Sequence, residues 1–256
     1  MKLDEPFECR QCAACCSELS LDAVNNELFP AFFNSAFMLH CCKPGLTVFD
    51  WEAKEMFHEA EKRGIKLSIV PYKIVYDLNK NSTIIMQYSI TDKKCQFLFN
   101  SRCMIYDKRP IICRLFPPNV RGLTGGTMTI SCTACPNDMT EKDWAEATSL
   151  GLSSEELIKK VHRRYGEIFE AEVEYEIMSK QTNDWINLLV MKGMIKPAMN
   201  YEPKALLQKA ASSPIYSLSM FLKAAFKDKA KDIDAVIENS AKLGHAKAFL
   251  RDLEKQ

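Results

Sequence analysis

The sequence predicts an α+β protein. The first part is expected to form a cysteine-rich domain with a small antiparallel sheet and helices, and the second part an all-α region. Two observations lead to this expectation: no cysteine follows Cys135, and β-rich runs occur only in the same front part. The rear part instead shows helical periodicity and capping signals. We therefore predict a boundary near Thr140, with one domain at 1–139 and a helical region at 140–256.

The front part contains one clear helical pattern. Apolar residues recur at helical spacing from Ala53 to Ala60, which predicts a helix over Asp50–Arg63. Asp50 is a candidate cap at its start, and Gly64 is a candidate stop at its end.

Short β-rich runs follow this helix. Asn79–Asn81 is a plausible hairpin turn between two of them, and a loop with three glycines precedes the last. The predicted strands are Lys66–Val70, Lys73–Leu78, Thr83–Ile90 and Thr127–Ser131.

The rear part is expected to be helical throughout. Ser153 and Glu156 form a capping box at the start of the first helix. Neither His162 nor His245 has an acidic or thiol partner at ligand spacing, so both are expected to be surface or packing residues. The further predicted helices are Asp184–Met191, Pro203–Ala211, Leu218–Leu243 and Ala246–Leu253.

Composition excludes several classes of function. Lys and Arg total 34 against 33 Asp and Glu, so there is no excess charge to attract nucleic acid. No apolar run approaches the ~18 residues of a membrane span. The N-terminus lacks the apolar segment of a signal peptide, so a cytoplasmic protein with reduced thiols is expected.

The first cysteine array is Cys9-x-x-Cys12-x-x-Cys15-Cys16. Three thiolates at this spacing suit three corners of an iron–sulfur cubane, with a fourth cysteine from elsewhere. Paired cysteines also suit tetrahedral zinc. Adjacent side chains diverge, so Cys15 and Cys16 are expected to face different partners. That indicates two centres, or one centre and one structural or resolving thiol.

The second array supplies the thiols that the first one lacks. It ends in a Cys-x-x-Cys pair, which we interpret as metal-ligating although such a pair can also be a redox couple. Cys41 and Cys42 lie outside both arrays. Free cysteines are among the most buried residue types, so we expect these two to be packing residues that bind no metal. The second array consists of Cys95, Cys103, Cys113, Cys132 and Cys135.

The two arrays stand in a specific sequence context. The first is F-E-C-R-Q-C-A-A-C-C from Phe7, and the second begins C-Q-F-L at Cys95 and continues C-M-I-Y-D-K-R-P-I-I-C-R-L-F-P from Cys103. In these motifs the chain resembles the YkgJ-like CxxCxxCC cysteine-cluster family, a zinc- or iron-chelating domain. The resemblance covers about residues 7–136. Ala14 departs from the glycine that is frequent in the family.

The resemblance implies a domain that binds a metal through the nine cysteines of the two arrays. It does not specify which metal is bound. Arg109 and Arg114 flank Cys113. They are candidate cofactor-binding residues whose guanidinium groups would neutralise a negatively charged centre, and they could equally hold the loop together.

Three functions are compatible with this resemblance. The first is a cytosolic protein whose [4Fe-4S] cluster serves redox or sensing chemistry. The second is a zinc-stabilised interaction module that contacts a protein partner through the helical region. The third is an enzyme related to the flagellin lysine methylases, which use S-adenosylmethionine. The sequence has no G-x-G-x-x-G motif, no P-loop and no radical-type Cys-x-x-x-Cys-x-x-Cys, so whether it is an enzyme stays open.

Overall fold

The computed structural model describes the greater part of the chain, in two compact units. The sheet unit comprises Leu19–Phe97 and Gln181–Ile237, and the helical unit comprises Met1–Glu18, Leu98–Lys180 and Glu238–Gln256. Each unit contains residues from before and after Thr140. The two units therefore differ from the two domains predicted at 1–139 and 140–256, and that domain division stays a prediction. The described residues are 4–8, 13, 16, 31–32, 37–42, 46–92, 94–116, 118–121, 129–132, 135, 142–143, 145, 149, 151 and 153–255.

Six strands of the described residues form the sheet of the sheet unit, in the order β1-β2-β4-β5-β10, and β3 also pairs with β5. The pairs are antiparallel except β5–β10, which is parallel. Because β3 pairs with one half of β5 and β10 with the other, the two strands share one edge. The strands are β1 (Ala31–Phe32), β2 (Met38–His40), β3 (Leu46–Phe49), β4 (Ile69–Asp77), β5 (Ser82–Ile90) and β10 (Ile215–Ser217).

The β4–β5 hairpin confirms the predicted strands and corrects one detail. The runs predicted at Lys66–Val70 and Lys73–Leu78 are one strand with an irregularity at Tyr72, where the pairing passes from Pro71↔Tyr88 to Lys73↔Gln87. The proline and the bulge interrupt the two-residue alternation, which is why the pattern reads as two strands.

Helix α1 (Asp50–Lys62) confirms the helix predicted at Asp50–Arg63. Gly64 follows it with a φ of +64°, a conformation that favours glycine at a helix end. The predicted cap is wrong by one residue. Phe49 is the N-cap, and its N–H donates to the Glu52 carboxylate at 3.0 Å. Asp50 is buried instead.

The rear region contributes helices to the sheet unit, but it is not all-α. Strand β10 lies between two of its helices, and the helix predicted at Leu218–Leu243 is interrupted after Ala225. The helices involved are the second part of α4 (Glu167–Met191), α5 (Pro203–Ala211), α6 (Leu218–Ala225) and most of α7 (Ala230–Ala241).

Alternating side chains of the sheet build two apolar clusters. One contains Met38, Val75 and Ile84 with Ile186 of α4 and Leu218 of α6. The other consists of Leu39, Cys41, Ile74, Tyr76, Ile85, Ala198, Leu206 and Ala210. Helices therefore cover both faces of the sheet, as its alternate apolar residues require.

The helical unit has a core formed by α3 (Ser154–Tyr165), the first part of α4 and α8 (Gly244–Glu254). The predicted capping box is confirmed, since Glu156 N–H donates to Ser153 Oγ at 3.2 Å. Gly166, with a φ of +52°, separates α3 from α4. The core residues are Leu157, Ile158, Val161, Tyr165, Phe169, Val173, Ala246 and Leu250. Among the described residues, no helix has the length and apolar character needed to cross a bilayer.

Short elements complete the helical unit. Hairpin β6–β7 turns through Asn100 and Ser101, both at positive φ (46° and 58°), as in a type I′ turn. The predicted strand Thr127–Ser131 is observed at Thr129–Cys132. The elements are β6 (Leu98–Phe99), β7 (Arg102–Cys103), the one-turn helix α2 (Ile111–Arg114), β8 (Pro118–Arg121) and β9 (Thr129–Cys132).

Candidate metal centre

The nine predicted ligands differ in how far the structure describes them. Cys9, Cys12 and Cys15 lie outside the described residues, and of Cys132 the structure describes the β9 backbone alone. The side chains of the other five are half-buried: Cys16, Cys95, Cys103, Cys113 and Cys135. Cys95 belongs to the sheet unit and the other four to the helical unit.

The segment from Cys103 to Leu115 is held by buried apolar side chains. Ile105, Ile111 and Leu115 are between 2% and 5% exposed. Pro110 is the N-cap of α2, and its carbonyl accepts the Cys113 N–H at 2.9 Å. The apolar residues of this motif thus anchor short elements in the core, while the two thiols that they flank remain partly accessible.

Arg109 stabilises the turn before α2. Its Nε donates to the Tyr106 carbonyl at 3.0 Å, and its guanidinium lies 3.7 Å from the centre of the Tyr106 ring. These contacts support the structural interpretation of Arg109, and its cofactor-binding role stays a prediction. Tyr106 is 41% exposed, so its ring covers the arginine and is not buried in the core.

Arg114 joins α2 to the end of α7 within the helical unit. Its Nη1 donates to the carbonyl of Ala241, the last residue of α7, at 2.9 Å. A cation there also interacts favourably with the negative end of the helix dipole. The sequence pattern did not indicate this partner, which lies 127 residues away. The cofactor-binding role predicted for Arg114 is likewise untested.

Convergence of the two arrays is likewise untested. Within the part of the chain that the structure describes, no three Cys, His, Asp or Glu side chains are grouped as metal ligands would be. Three cysteines of the first array and the Cys132 thiol fall outside that part, so a common site stays a prediction.

Cys41 and Cys42 have the environments of structural thiols. Cys41 is 5% exposed in an apolar cluster, and burial raises its pKa to about 12. Burial also raises the pKa of Cys42, whose Sγ lies 4.0 Å from the Pro71 carbonyl oxygen. The apolar surroundings of Cys41 are those of a structural thiol. The expectation that Cys41 and Cys42 are non-ligands stays a prediction.

The two histidines of the rear region have acidic partners supplied by the tertiary fold. His245 Nδ1 lies 2.6 Å from an oxygen of Glu174, which is fully buried. His162 Nε2 lies 3.4 Å from Glu170. Sequence spacing did not indicate either pair, because the Glu174–His245 pair joins two helices and the His162–Glu170 pair spans the break between α3 and α4.

A family model named CxxCxxCC and described as a "Putative zinc- or iron-chelating domain" matches residues 39–148. Residues 39–148 are thus similar to the CxxCxxCC domain. The match contains the whole second array and confirms the resemblance seen in the sequence. No curated protein and no solved structure gave a significant match.

The limits of the family match differ from those of the resemblance seen in the sequence. The matched range begins at residue 39, so Cys9–Cys16 precede it and Cys41 and Cys42 fall within it. It ends at residue 148, beyond the boundary predicted near Thr140. The match therefore includes the second array and not the first, and the metal-ligating role of both arrays remains a prediction.

Proposed function

We propose that this protein binds a [4Fe-4S] cluster through thiolates of both cysteine arrays and uses it in cytoplasmic redox or sensing chemistry. The observation that carries the proposal is the CxxCxxCC match over residues 39–148, a domain described as chelating zinc or iron. The arrays contain thiols and no histidine, a donor set that suits a cluster and also suits zinc.

The surroundings of Cys103 and Cys113 support a ligand role. Both thiols are half-buried, on short elements that Ile105 and Ile111 anchor in the core. The two cysteines are thus neither fully exposed nor fully buried. Cys16 and Cys135 belong to the same unit.

Ligands from the first array would complete the set. The spacing of Cys9, Cys12 and Cys15 suits three irons of a cubane, and one thiol of the second array would hold the fourth. When bound, such a cluster supplies one-electron redox chemistry. The protein would contribute thiolates, an apolar shell and the nearby cations Arg109 and Arg114.

Anaerobic purification tests the identity of the metal. The cluster predicts brown protein with broad visible absorption, stoichiometric iron and sulfide, and bleaching by dithionite or air. Colourless anaerobic protein with stoichiometric zinc, from cells competent in cluster assembly, would contradict the cluster. It would instead support a zinc-stabilised interaction module.

Matched cysteine variants test the site. Cys12→Ser and Cys113→Ser should each reduce the metal content to well below half of the wild-type value. Cys42→Ser is the control, because this half-buried thiol is not a predicted ligand and should leave the metal content unchanged. Full metal content in both ligand variants would contradict a site shared by the two arrays.

A further inference from the structure

A cavity of about 480 Å³ lies within the helical unit, bordered by α3, α4, α8 and the end of α7. This volume is in the range of small-molecule binding sites, which is about 300–1,000 Å³. One face of α8 forms a wall of the cavity, because the residues that line it are three or four positions apart and share a side of the helix. They are Gly244, Lys247, Leu250, Arg251 and Glu254.

The two carboxylates that line the cavity already face partners in its wall. Glu170 lies 3.4 Å from His162 Nε2 and 3.7 Å from Lys247 Nζ. Glu254 lies 3.9 Å from His162 Nδ1. A cationic ligand would have to compete with these groups for the carboxylates, so the cavity is poorly suited to a cation.

Two cations of the cavity have no carboxylate partner among the described residues. The Lys242 ammonium makes no hydrogen bond or ion pair with them, whereas Lys159, on α3 of the same unit, contacts Glu155 at 2.5 Å. The Arg251 Nε donates to the Lys247 carbonyl at 3.1 Å, and its two terminal nitrogens have no partner in the described part of the chain. An arginine held in this way keeps two parallel N–H donors, which match two oxygens of a carboxylate or phosphate.

The charge of the lining favours an anion. Two lysines and one arginine stand against two glutamates, so the lining has one excess positive charge before any charge on His162 is counted. Leu250, which is 3% exposed, adds an apolar surface beside these charges. Charges next to apolar walls attract a counter-charge more strongly than charges in bulk water do. The cavity therefore combines an attraction for anions with a surface for the apolar part of a small molecule.

Gly244 leaves space for a further hydrogen-bond donor. A Cβ atom at this position would overlap with Asn239 Oδ1, so a larger residue would displace the asparagine side chain. Gly244 does not have the positive φ of Gly64 and Gly166, so space and not backbone conformation accounts for the glycine here. The side-chain amide of Asn239 lines the cavity and makes no hydrogen bond with the described residues, which leaves its two N–H groups for a ligand.

We propose that Lys242, Arg251 and Asn239 bind the oxyanion of a small organic phosphate or carboxylate in this cavity. The Arg251 guanidinium binds two oxygens of the anion, the Lys242 ammonium neutralises it, and the Asn239 amide donates a further hydrogen bond. Leu250 contacts the apolar part of the molecule, since a cavity of about 480 Å³ is larger than an inorganic ion requires. The site does not depend on the proposed cluster, because none of these residues is a predicted metal ligand.

Modification of Arg251 by phenylglyoxal, which reacts with guanidinium groups, tests the site in the full chain. The ligands are phenyl phosphate and benzoate, which share a ring and differ in the oxyanion, and benzamide is the uncharged control. At ten times the dissociation constant, modification of Arg251 should slow about tenfold, while modification of the exposed Arg102 in the same unit is unchanged. Peptide mass spectrometry measures both rates at constant ionic strength.

Each pattern of protection has one interpretation. Protection by phenyl phosphate alone assigns a phosphate ligand, protection by benzoate alone assigns a carboxylate, and protection by both assigns an oxyanion site that accepts either. Absence of protection by both anions throughout the titration, or equal protection by benzamide, overturns the proposal.

Charge variants provide the second measurement. Lys242→Met should raise the anion concentration that half-protects Arg251 by about tenfold. Lys255→Met is the matched control, because it removes an exposed lysine beside α8 that does not line the cavity, and it should leave that concentration unchanged. Equal effects of the two substitutions overturn the proposal. Should Lys242→Met fail to fold, protection of Arg251 in the wild type decides alone.

Discussion

The carboxylate of Asp50, at the start of α1, accepts two hydrogen bonds from Ser219 in the first turn of α6. The Ser219 N–H donates at 2.9 Å and its hydroxyl at 2.5 Å, both to Oδ2. Asp50 is 3% exposed, and its second oxygen is buried without a hydrogen-bond partner among the described residues. One buried carboxylate therefore joins the beginnings of two helices that are 169 residues apart.

Replacing Asp50 by alanine should destabilise the sheet unit. The Ser219 N–H and hydroxyl would lose a buried acceptor, which we expect to lower the free energy of unfolding by about 1–3 kcal/mol. Urea unfolding measures the change. Glu61→Ala, at an exposed position on the same helix, is the control and should lower the free energy of unfolding much less. Equal effects of the two substitutions would show that the Asp50–Ser219 link contributes nothing specific.

Asp50 should also make stability depend on pH. Burial raises its pKa to about 6, although the hydrogen bonds from Ser219 act in the opposite direction. The native state therefore holds this proton between about pH 4 and pH 6, where the unfolded chain has released it. The stability that comes from protonated Asp50 is fully present below about pH 4 and is lost as the pH rises through about 6.

The variant Asp50→Asn removes this titration and keeps an acceptor for Ser219. Relative to Asp50→Asn, the wild type should lose stability as the pH rises from about 4 to 6, by at most about 3 kcal/mol. Urea unfolding of both proteins across this range gives the difference. Parallel stability curves for the two proteins would contradict the elevated pKa.

Glu174 should be important for the start of α8. One of its oxygens contacts His245 Nδ1 at 2.6 Å, and the other accepts the Ala246 N–H at 2.8 Å. Leu243, the N-cap residue, has no side-chain acceptor, so Glu174 replaces the usual capping group. We expect Glu174→Ala to lower the free energy of unfolding by about 1–3 kcal/mol, as measured by urea unfolding. The exposed Glu238→Ala is the control, and similar losses for both variants would argue against a capping role.

Replacing Arg114 by methionine separates its two interpretations. If Arg114 serves to cap α7 through the Ala241 carbonyl, Arg114→Met should lower the free energy of unfolding by about 0.5–1.5 kcal/mol and keep its metal. If its guanidinium instead supports a charged centre, the metal content or the reduction potential should change. Iron, sulfide and zinc analysis beside urea unfolding distinguishes the two outcomes.

The β6–β7 turn offers a stabilising substitution. Ser101 adopts a φ of +58°, which strains a residue with a side chain, and Asn-Gly is the preferred pair for this turn. Ser101→Gly should raise the free energy of unfolding by about 0.5–1 kcal/mol and leave the metal content unchanged. Ser101→Ala is the control, since alanine relieves no strain. A loss of stability in the glycine variant would refute the turn assignment.

Elements whose signals are local could be predicted from the sequence. Helix α1, the capping box at Ser153 and the β4–β5 hairpin follow from periodicity, caps and turn residues within a few positions. The resemblance to the CxxCxxCC family, which the match over residues 39–148 confirms, was also read from the spacing of cysteines along the chain.

The pairing of segments that are distant in sequence could not be predicted, because it depends on tertiary packing. β10 pairs with β5, Asn183 reaches Lys73, and Glu174 reaches His245, because buried polar groups and strand edges require partners wherever the chain can supply them. Those partners carry no spacing signal, so periodicity cannot reveal them. In the same way, the open edge of β5 pairs with Ile215–Ser217, so the rear region, predicted to be helical, contains a strand.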